Sequence, residues 1–516
     1  MGMVTASAAA TATVASNALP PSRSTRAPMA PARGEAVQIS PPVVISGLRA
    51  PPEPRDAAAF RFAMSHLPVR ATVAPGHPVV NGARLACYTG AERTQARRSG
   101  GWRMVKERED QQDVQSELDQ AQRRKPWQRY LEASLGLRNY WYPALFSREL
   151  PEDHMRAEII AGERLFFKRI DGKVYCVEDR CIHRGVPFSP RPECYTDNTL
   201  TCWFHGFTYD WRTGKLVQIL TEEDSALLGK VGIKAYPTQE VGETIFVYIG
   251  DGAPHDIRED AQPRLFDADL VVEPLVRYKI KCNWRVAAEN GFDAAHIYGH
   301  RDWVGFRRGG LTAYPLGTYP SSKDIVRVLE EDGKPKGVLK RDDTQVYAAE
   351  IDGVDIRVEG YPKDAPRVRH EPRETEVSCF MPAGLQVVGF PKRGMVHFEW
   401  YVPIDDDHHM YTILQGGYAK TPEEREAFKR ECREVLGPLV WNEPGKEPAG
   451  FNNFDSFGRK WTHHAYAKED WWHRERLFKP DYIIMQWRML VAKHARAIQT
   501  WGNWQKPDED DIPQVP

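Results

Sequence analysis

Two groups of residues in this chain have the types and spacing that metal chemistry requires. The first is Cys181-Ile-His183-Arg-Gly and Cys202-Trp-Phe-His205-Gly, with 18 residues between His183 and Cys202. The second lies in the stretch Glu289-Asn-Gly-Phe-Asp-Ala-Ala-His-Ile-Tyr-Gly-His300, where Asp293, His296 and His300 stand at i, i+3 and i+7. On a helix those offsets share one face. Two neutral imidazoles there can hold adjacent positions of one metal ion. A third, oxygen ligand from elsewhere in the chain would leave open positions for O2. Taken alone, a His pair at i, i+4 is more often ordinary helix surface, so the first group carries more weight.

Two thiolates and two imidazoles are also a zinc set. Zinc fingers, however, space Cys with Cys and His with His, whereas each short loop here supplies one of each. That arrangement suits a Rieske [2Fe–2S] cluster, with Cys181 and Cys202 on one iron and His183 and His205 on the other. Replacing thiolate by neutral imidazole raises the reduction potential, so such a cluster can accept an electron and pass it on. The glycine after each loop would let the backbone approach the cluster closely.

The elements that must position these ligands can be read in outline. Residues 139–262 read as β-structure: Leu165–Ile170, Lys173–Val177 and Thr244–Ile249 are short, rich in apolar and aromatic residues, and bounded by Gly and Asp. Tyr482–Thr500 is apolar at helical spacing and predicts a closing amphipathic helix. A length of 516 residues, 41% hydrophobic and 27% charged, fits a soluble protein of several domains. A net charge of −1 gives no reason to expect nucleic acid, and no apolar run is long enough for a transmembrane helix. Eight cysteines are too sparse for a disulfide scaffold, which points to a reducing, cytoplasmic compartment. Cys176 and Cys194 flank the first group and read as packed thiols. His463 and His464 are not expected to bind metal.

Residues 1–103 differ from the rest. They hold 12 Arg, no Lys and four acids, whereas the remaining 413 residues hold all 23 Lys and carry a net charge of −9. A disordered tail, an organelle presequence, or a gene start extended upstream of a true start at Met104 would each produce this shift. The last is favoured, because GC-rich DNA encodes Arg without Lys; an N-terminal peptide from residues 1–100 in native protein would remove it. The expected division is then 1–103 extension, 104–138 leader helix, 139–262 cluster domain, 263–505 catalytic domain and 506–516 acidic tail.

A Rieske-type cluster followed by Asp-x2-His-x3-His resembles the terminal oxygenase subunit of Rieske non-haem iron ring-hydroxylating oxygenases. The match is closest to the carbazole 1,9a-dioxygenase type and covers about residues 130–505. It rests on Leu135-GLRNYWYPALFS, Glu289-NGFDAAHIYGH, Phe398-EWYVPID, Gly450-FNNFD and Ala497-IQTW. The resemblance implies an α+β fold: an N-terminal Rieske β-domain, then a catalytic domain with a curved antiparallel sheet and covering helices. It implies one [2Fe–2S] cluster and one mononuclear Fe(II) per subunit, the Fe(II) held by His296, His300 and Asp455. Asn452 and Asn453 are then neighbours able to orient Asp455. Asp293 would bridge to His205 of an adjacent subunit in a homotrimer. Respiratory Rieske proteins carry a further disulfide within the cluster loops; Val186 and Trp203 stand at those positions here, which favours the oxygenase type.

The same resemblance implies a substrate pocket of Gly291, Val377, Phe390, Glu399, Phe451 and Asn452, suited to a flat aromatic molecule. The Gly291 carbonyl could meet a ring N–H. Residues 310–376 diverge most from the relative and would cover the entrance. The leading expectation is hydroxylation of an aromatic or heteroaromatic ring by O2, as angular cis-dihydroxylation, with electrons relayed by a ferredoxin from a NAD(P)H-dependent reductase. A monooxygenase or demethylase on the same scaffold is the alternative. A pure Rieske electron carrier is disfavoured, because it would need only about a hundred residues. A chloroplast-type pigment oxygenase would usually add a C-terminal membrane anchor.

Overall fold

The computed structural model describes residues 125–293, 295–304, 316–319, 326–341, 344–358, 360–370, 375–446 and 449–501. The expectations for residues 1–103, for the polar leader up to residue 124 and for the 506–516 tail lie outside these residues. From residue 125 onward the expected leader holds a short helix, Gln128–Glu132, and a strand, Leu137–Arg138, that pairs with Ala497–Ile498.

Three small antiparallel sheets build the first part of the described chain. Strands β1 (Tyr140–Phe146), β9 (Thr238–Val241) and β10 (Thr244–Ile249) form one, in the order β9-β10-β1. Strands β2 (Met155–Ile160), β3 (Glu163–Ile170), β4 (Lys173–Glu178) and β8 (Ala235–Tyr236) form the second, in sequence order. Strands β5 (Thr199–Thr201), β6 (Phe207–Asp210) and β7 (Leu216–Ile219) form the third. The first metal loop leaves β4, and the second joins β5 to β6. Beneath both, Phe166, Phe188, Tyr209 and Trp211 pack with the two cysteines in a core separate from the main one. The three predicted strands are found, two of them extended by one or two residues.

A seven-stranded antiparallel sheet follows, in the order β11-β17-β16-β15-β14-β13-β12. Its strands are β11 (Leu270–Ile280), β12 (Val326–Glu331), β13 (Lys334–Arg341), β14 (Glu376–Phe380), β15 (Gly384–Val388), β16 (Met395–Pro403) and β17 (His409–Tyr418). Burial runs unbroken along β16 because both of its faces are covered. Helix α1 (Trp284–Phe292) packs on this sheet, and α2 (Phe451–Lys468) packs on α1. Asn283 caps α1, its side chain accepting from Arg285 N at 3.1 Å, a contact worth about 1 kcal/mol. Helix α3 (Tyr482–His494) closes the fold and buries Ile483, Ile484, Trp487 and Leu490. It ends six residues before the predicted boundary, where the chain turns to pair with Leu137–Arg138. Among the described residues no helix is long and apolar enough to cross a membrane.

Candidate metal centres

The two cluster loops are built alike. Cys181 N donates to Val186 O and Gly185 N returns to Cys181 O, each at 2.9 Å. Cys202 N donates to Phe207 O at 2.7 Å, and Gly206 N to Cys202 O at 2.9 Å. Gly185 and Gly206 adopt φ of +73° and +71°, a region costly for residues with a Cβ, so conformation explains these glycines more directly than close approach to a cluster. Asp179 holds the first loop, accepting from Phe188 N at 2.7 Å and Ser189 N at 2.9 Å. Trp203 Nε1 donates to Pro187 O at 2.9 Å and ties the second loop to the first.

Cys181 and Cys202 are buried, while His183 is exposed and His205 half-buried. The two imidazoles lie edge to face, 4.5 Å between centroids. A hydrogen bond with the facing Cys202 thiol pushes Cys181 down to about 6, helped by Tyr209 Oη at 3.2 Å. The same shared proton pushes Cys202 upward. A [2Fe–2S] cluster takes both sulfurs as thiolates, so its binding releases that shared proton. Among the described residues, a set of three donor atoms mutually within 4.8 Å occurs at His296, His300 and Asp455 and not at these four. A pair of thiols and a pair of imidazoles spread this way fit a two-iron cluster better than a single tetrahedral ion. Cys176 is a buried free thiol, and Cys194 Sγ lies 3.8 Å from Met155 Sδ, as expected of packed thiols.

The second site departs from the single helix face that its spacing predicts. Helix α1 ends at Phe292, and Asp293 leaves it with ψ of 129°. Asp293 Oδ1 accepts from Ala295 N at 2.7 Å, so the amide that a continued helix would give to Gly291 O is diverted. The weak helix formers Asn290 and Gly291 make that break easy. His296–His300 then forms a tighter 3-10 turn. His296 Nδ1 bonds Asp293 O at 2.7 Å, which leaves its Nε2 to face inward as a lone pair.

The two imidazoles nevertheless converge. Nε2 of His296 and Nε2 of His300 each lie 3.2 Å from Asp455 Oδ1. Asp455 projects from the second turn of α2 and is buried, as is His300. Burial alone would raise the Asp455 pKa; the nearby His300 and Arg459, with His296 also close, outweigh it and hold the carboxyl well below its usual range. Two imidazoles and one permanent carboxylate are the donor set of a mononuclear Fe(II) site with open positions. Phe451 stacks on His300 at 3.9 Å with planes at 8°, fixing the ring.

The asparagines act differently from expectation. Asn453 Oδ1 accepts from Gly450 N at 2.8 Å and Asn442 N at 2.9 Å, which pins the start of α2. Asn452 Nδ2 donates to Glu399 Oε1 at 2.8 Å and to Tyr411 Oη. They thus fix the helix that carries Asp455 rather than its carboxylate. Glu399 also accepts from His397 Nε2 at 2.8 Å and Tyr401 Oη at 2.6 Å. Burial works to raise Glu399, but His397 and Arg459 overcome it and keep it ionised.

Of the six expected pocket residues, five form a contiguous cluster against the triad. Phe390 meets Phe451 at 5.2 Å, Asn452 holds Glu399, and a Cβ on Gly291 would lie 1.9 Å from Tyr401 Oη. Val377 is buried on β14, opposite Val387 and Lys340 on the adjacent strands. None of the six lines the cavity of about 560 Å³ that opens onto the triad between α1, α2 and α3. That cavity is walled instead by charged groups, among them Asp293, Arg459, Glu475, Asp481 and Arg488. Segment 310–376, expected to cover the entrance, is only partly described. His463 Nδ1 accepts from Asn283 N at 3.2 Å, a packing role, and His464 is exposed.

Arg459, His397, Tyr401 and Tyr411 escaped the sequence reading. Two signals were present. Arg459 is four residues beyond Asp455, on the same helix face, and His397, Glu399 and Tyr401 alternate with period two, so they share one face of β16.

Two protein families match successive parts of the chain. The Rieske [2Fe-2S] domain family matches residues 140–237, and the homotrimeric ring hydroxylase family matches 248–499. The terminal oxygenase component of carbazole 1,9a-dioxygenase from Metapseudomonas resinovorans is 38% identical over 73% of this chain and 95% of its own length. The solved terminal oxygenase of carbazole 1,9a-dioxygenase from Nocardioides aromaticivorans IC177 superposes with a TM-score of 0.66 at 35% identity, covering 72% of this chain and 99% of that one. A carbazole 1,9a-dioxygenase oxygenase solved in its reduced complex with ferredoxin matches equally, at 36% identity and TM-score 0.66, over 74% and 96%. The chain belongs to the Rieske-type ring-hydroxylating oxygenases, as a terminal oxygenase related to that of carbazole 1,9a-dioxygenase.

Proposed function

We propose that this terminal oxygenase attacks a flat, apolar, N-heteroaromatic ring of carbazole type at an angular position, adding both atoms of O2. The observation that carries the reading is the convergence of His296, His300 and Asp455 on one point against the aromatic pair Phe451 and Phe390. Cys181, His183, Cys202 and His205 hold the [2Fe–2S] cluster; His296, His300 and Asp455 hold Fe(II). The Fe(II), when bound, supplies O2 activation beside the ring. The chain's own residues do the rest. Phe451 and Phe390 bind the ring by stacking and exclude water. The Gly291 carbonyl, with the Ala295 amide diverted to Asp293, is available to accept a ring N–H. Glu399, Asn452 and His397 form a hydrogen-bonded network that holds the start of α2, and so Asp455, in place.

Electrons arrive through the ferredoxin and its NAD(P)H-dependent reductase. In a homotrimer, the exposed loop tip with His183, Ile182 and Phe204 would seat against the charged cavity of the adjacent subunit, bringing His205 to Asp293. Apolar side chains exposed at 42% and 49% around a cluster suit such docking. Turnover of carbazole with a surrogate ferredoxin and reductase under isotopically labelled O2 tests the reading. Product carrying both labelled atoms is expected; a single labelled atom, or simple demethylation of methoxylated rings, would overturn it.

A further inference from the structure

Tyr278, Tyr411 and Tyr401 stand opposite one another across the adjacent strands β11, β17 and β16. The rings of Tyr401 and Tyr411 are stacked, with centroids 5.6 Å apart and planes at 8°. Trp441 bridges the outer step, 5.9 Å from Tyr411 and 5.3 Å from Tyr278. Tyr401 and Tyr411 are fully buried, whereas Tyr278 is 40% exposed. The row therefore runs from core to solvent through rings in contact.

Its inner end adjoins the candidate iron site. Arg459, one helical turn from Asp455, lies 5.0 Å from the Tyr401 ring and 4.7 Å from that of Tyr411. Asn452, beside the Phe451 that stacks on His300, donates to Tyr411 Oη. Tyr401 Oη donates to Glu399 Oε2 at 2.6 Å. Phenylalanine would fill this space without hydroxyls to satisfy in the core. A buried phenol gives up an electron readily only if its proton has somewhere to go, and Glu399 is that acceptor.

We propose that Tyr401, Tyr411, Trp441 and Tyr278 form an outward relay for oxidising equivalents, which protects the iron site when O2 is activated with no ring in place. The relay rests on the mononuclear iron reading above. In the first step Tyr401 gives an electron to the oxidised metal centre and its phenolic proton to Glu399. Electrons then move inward in sequence from Tyr411, Trp441 and Tyr278, and Glu399 returns its proton to Tyr401. Tyr278 releases its own proton to solvent and remains as the surface radical. A small-molecule thiol restores Tyr278 by supplying one electron and one proton, becoming a thiyl radical that couples to disulfide.

The test uses full-length enzyme carrying both metals, chemically reduced and exposed to O2 without aromatic substrate. Samples are frozen for electron paramagnetic resonance and digested for peptide mass spectrometry. A tyrosyl or tryptophanyl radical and oxidised Tyr278 peptides are expected, both suppressed by added thiol. Trp441→Phe should lower Tyr278 oxidation several-fold, raise oxidation at Tyr401 and Tyr411, and shorten enzyme survival several-fold, while ring hydroxylation with substrate is retained. Tyr278→Phe should leave hydroxylation unchanged and move the oxidation to Trp441. Equal Tyr278 oxidation in wild type and Trp441→Phe, with equal survival and intact hydroxylation, overturns the relay alone. Absence of bound mononuclear iron or of ring hydroxylation in the unaltered enzyme overturns the underlying reading, and the relay with it.

Discussion

In the cluster domain the two cysteines are buried, while His183 stands exposed at the tip of its loop. At the second site the order is reversed: His300 and Asp455 are buried, and the ligands sit between helices beside a charged cavity. The first arrangement puts the imidazole side of a cluster where another protein can reach it. The second sets its three candidate ligands between helices, with a cavity of about 560 Å³ opening onto them. One arrangement suits exchange at a surface, the other suits confining whatever the three ligands hold.

Two substitutions break the comparison from opposite sides, with the largest effects expected. Asp455→Ala should remove the mononuclear iron, about one atom per chain, and abolish turnover, while the visible spectrum of the cluster survives. Cys202→Ser should remove about two atoms per chain and the visible bands, yet leave the mononuclear site able to bind Fe(II). Iron analysis with absorption spectroscopy reads both. Unchanged iron content in Asp455→Ala would remove Asp455 from the ligand set.

The contrast between local and distant construction also explains what was legible. Each cluster loop carries its own ligands and its own positive-φ glycine within a few residues, so Cys181–Gly185 and Cys202–Gly206 could be read from spacing. Helical spacing at 293–300 brings His296 and His300 together on one helix face; the structure brings them together too, but across a helix end and a 3-10 turn. An Asp side chain that captures Ala295 N ends the helix, and face geometry does not foresee that competition. Asp455 is 155 residues from His300, so no local pattern links them and only the family resemblance did. The buried Arg459 and the network of Glu399 with His397 and Tyr401 are tertiary facts, set by α2 lying across α1 and by β16 beneath them. The cavity between α1, α2 and α3 was not foreseen, because its walls come from segments about 200 residues apart in the chain.

Asp293 joins the two halves of the comparison, and a smaller effect is expected there. Asp293→Asn keeps an oxygen to accept from Ala295 N and so preserves the turn that aims His296. It removes the charge proposed to meet His205 of an adjacent subunit. Both metals should stay bound, and turnover should fall roughly 100-fold, the upper range for partners of metal-bound histidines. Stopped-flow reoxidation of the reduced cluster by O2 with substrate present would read the step; normal rates would exclude the bridge.

The smallest effect concerns the same cavity. Asp481, 7% exposed, is pushed up to about 6, first by burial and then by the charge of Asp293, against a hydrogen bond from Phe478 N. The folded chain therefore holds this proton more tightly than the unfolded chain. Its stabilising contribution is complete below the unfolded carboxyl pKa near 4 and is lost as pH rises through 6. Asn in its place keeps an acceptor for Phe478 N but never ionises. Asp481→Asn should thus raise stability by about 1–2 kcal/mol at pH 8, a value reduced for residual solvent screening, and by nearly nothing at pH 4. Chemical denaturation at the two pH values measures it. A gain of equal size at both would mean that packing, not the burial of an ionised carboxylate beside Asp293, sets the cost of Asp481.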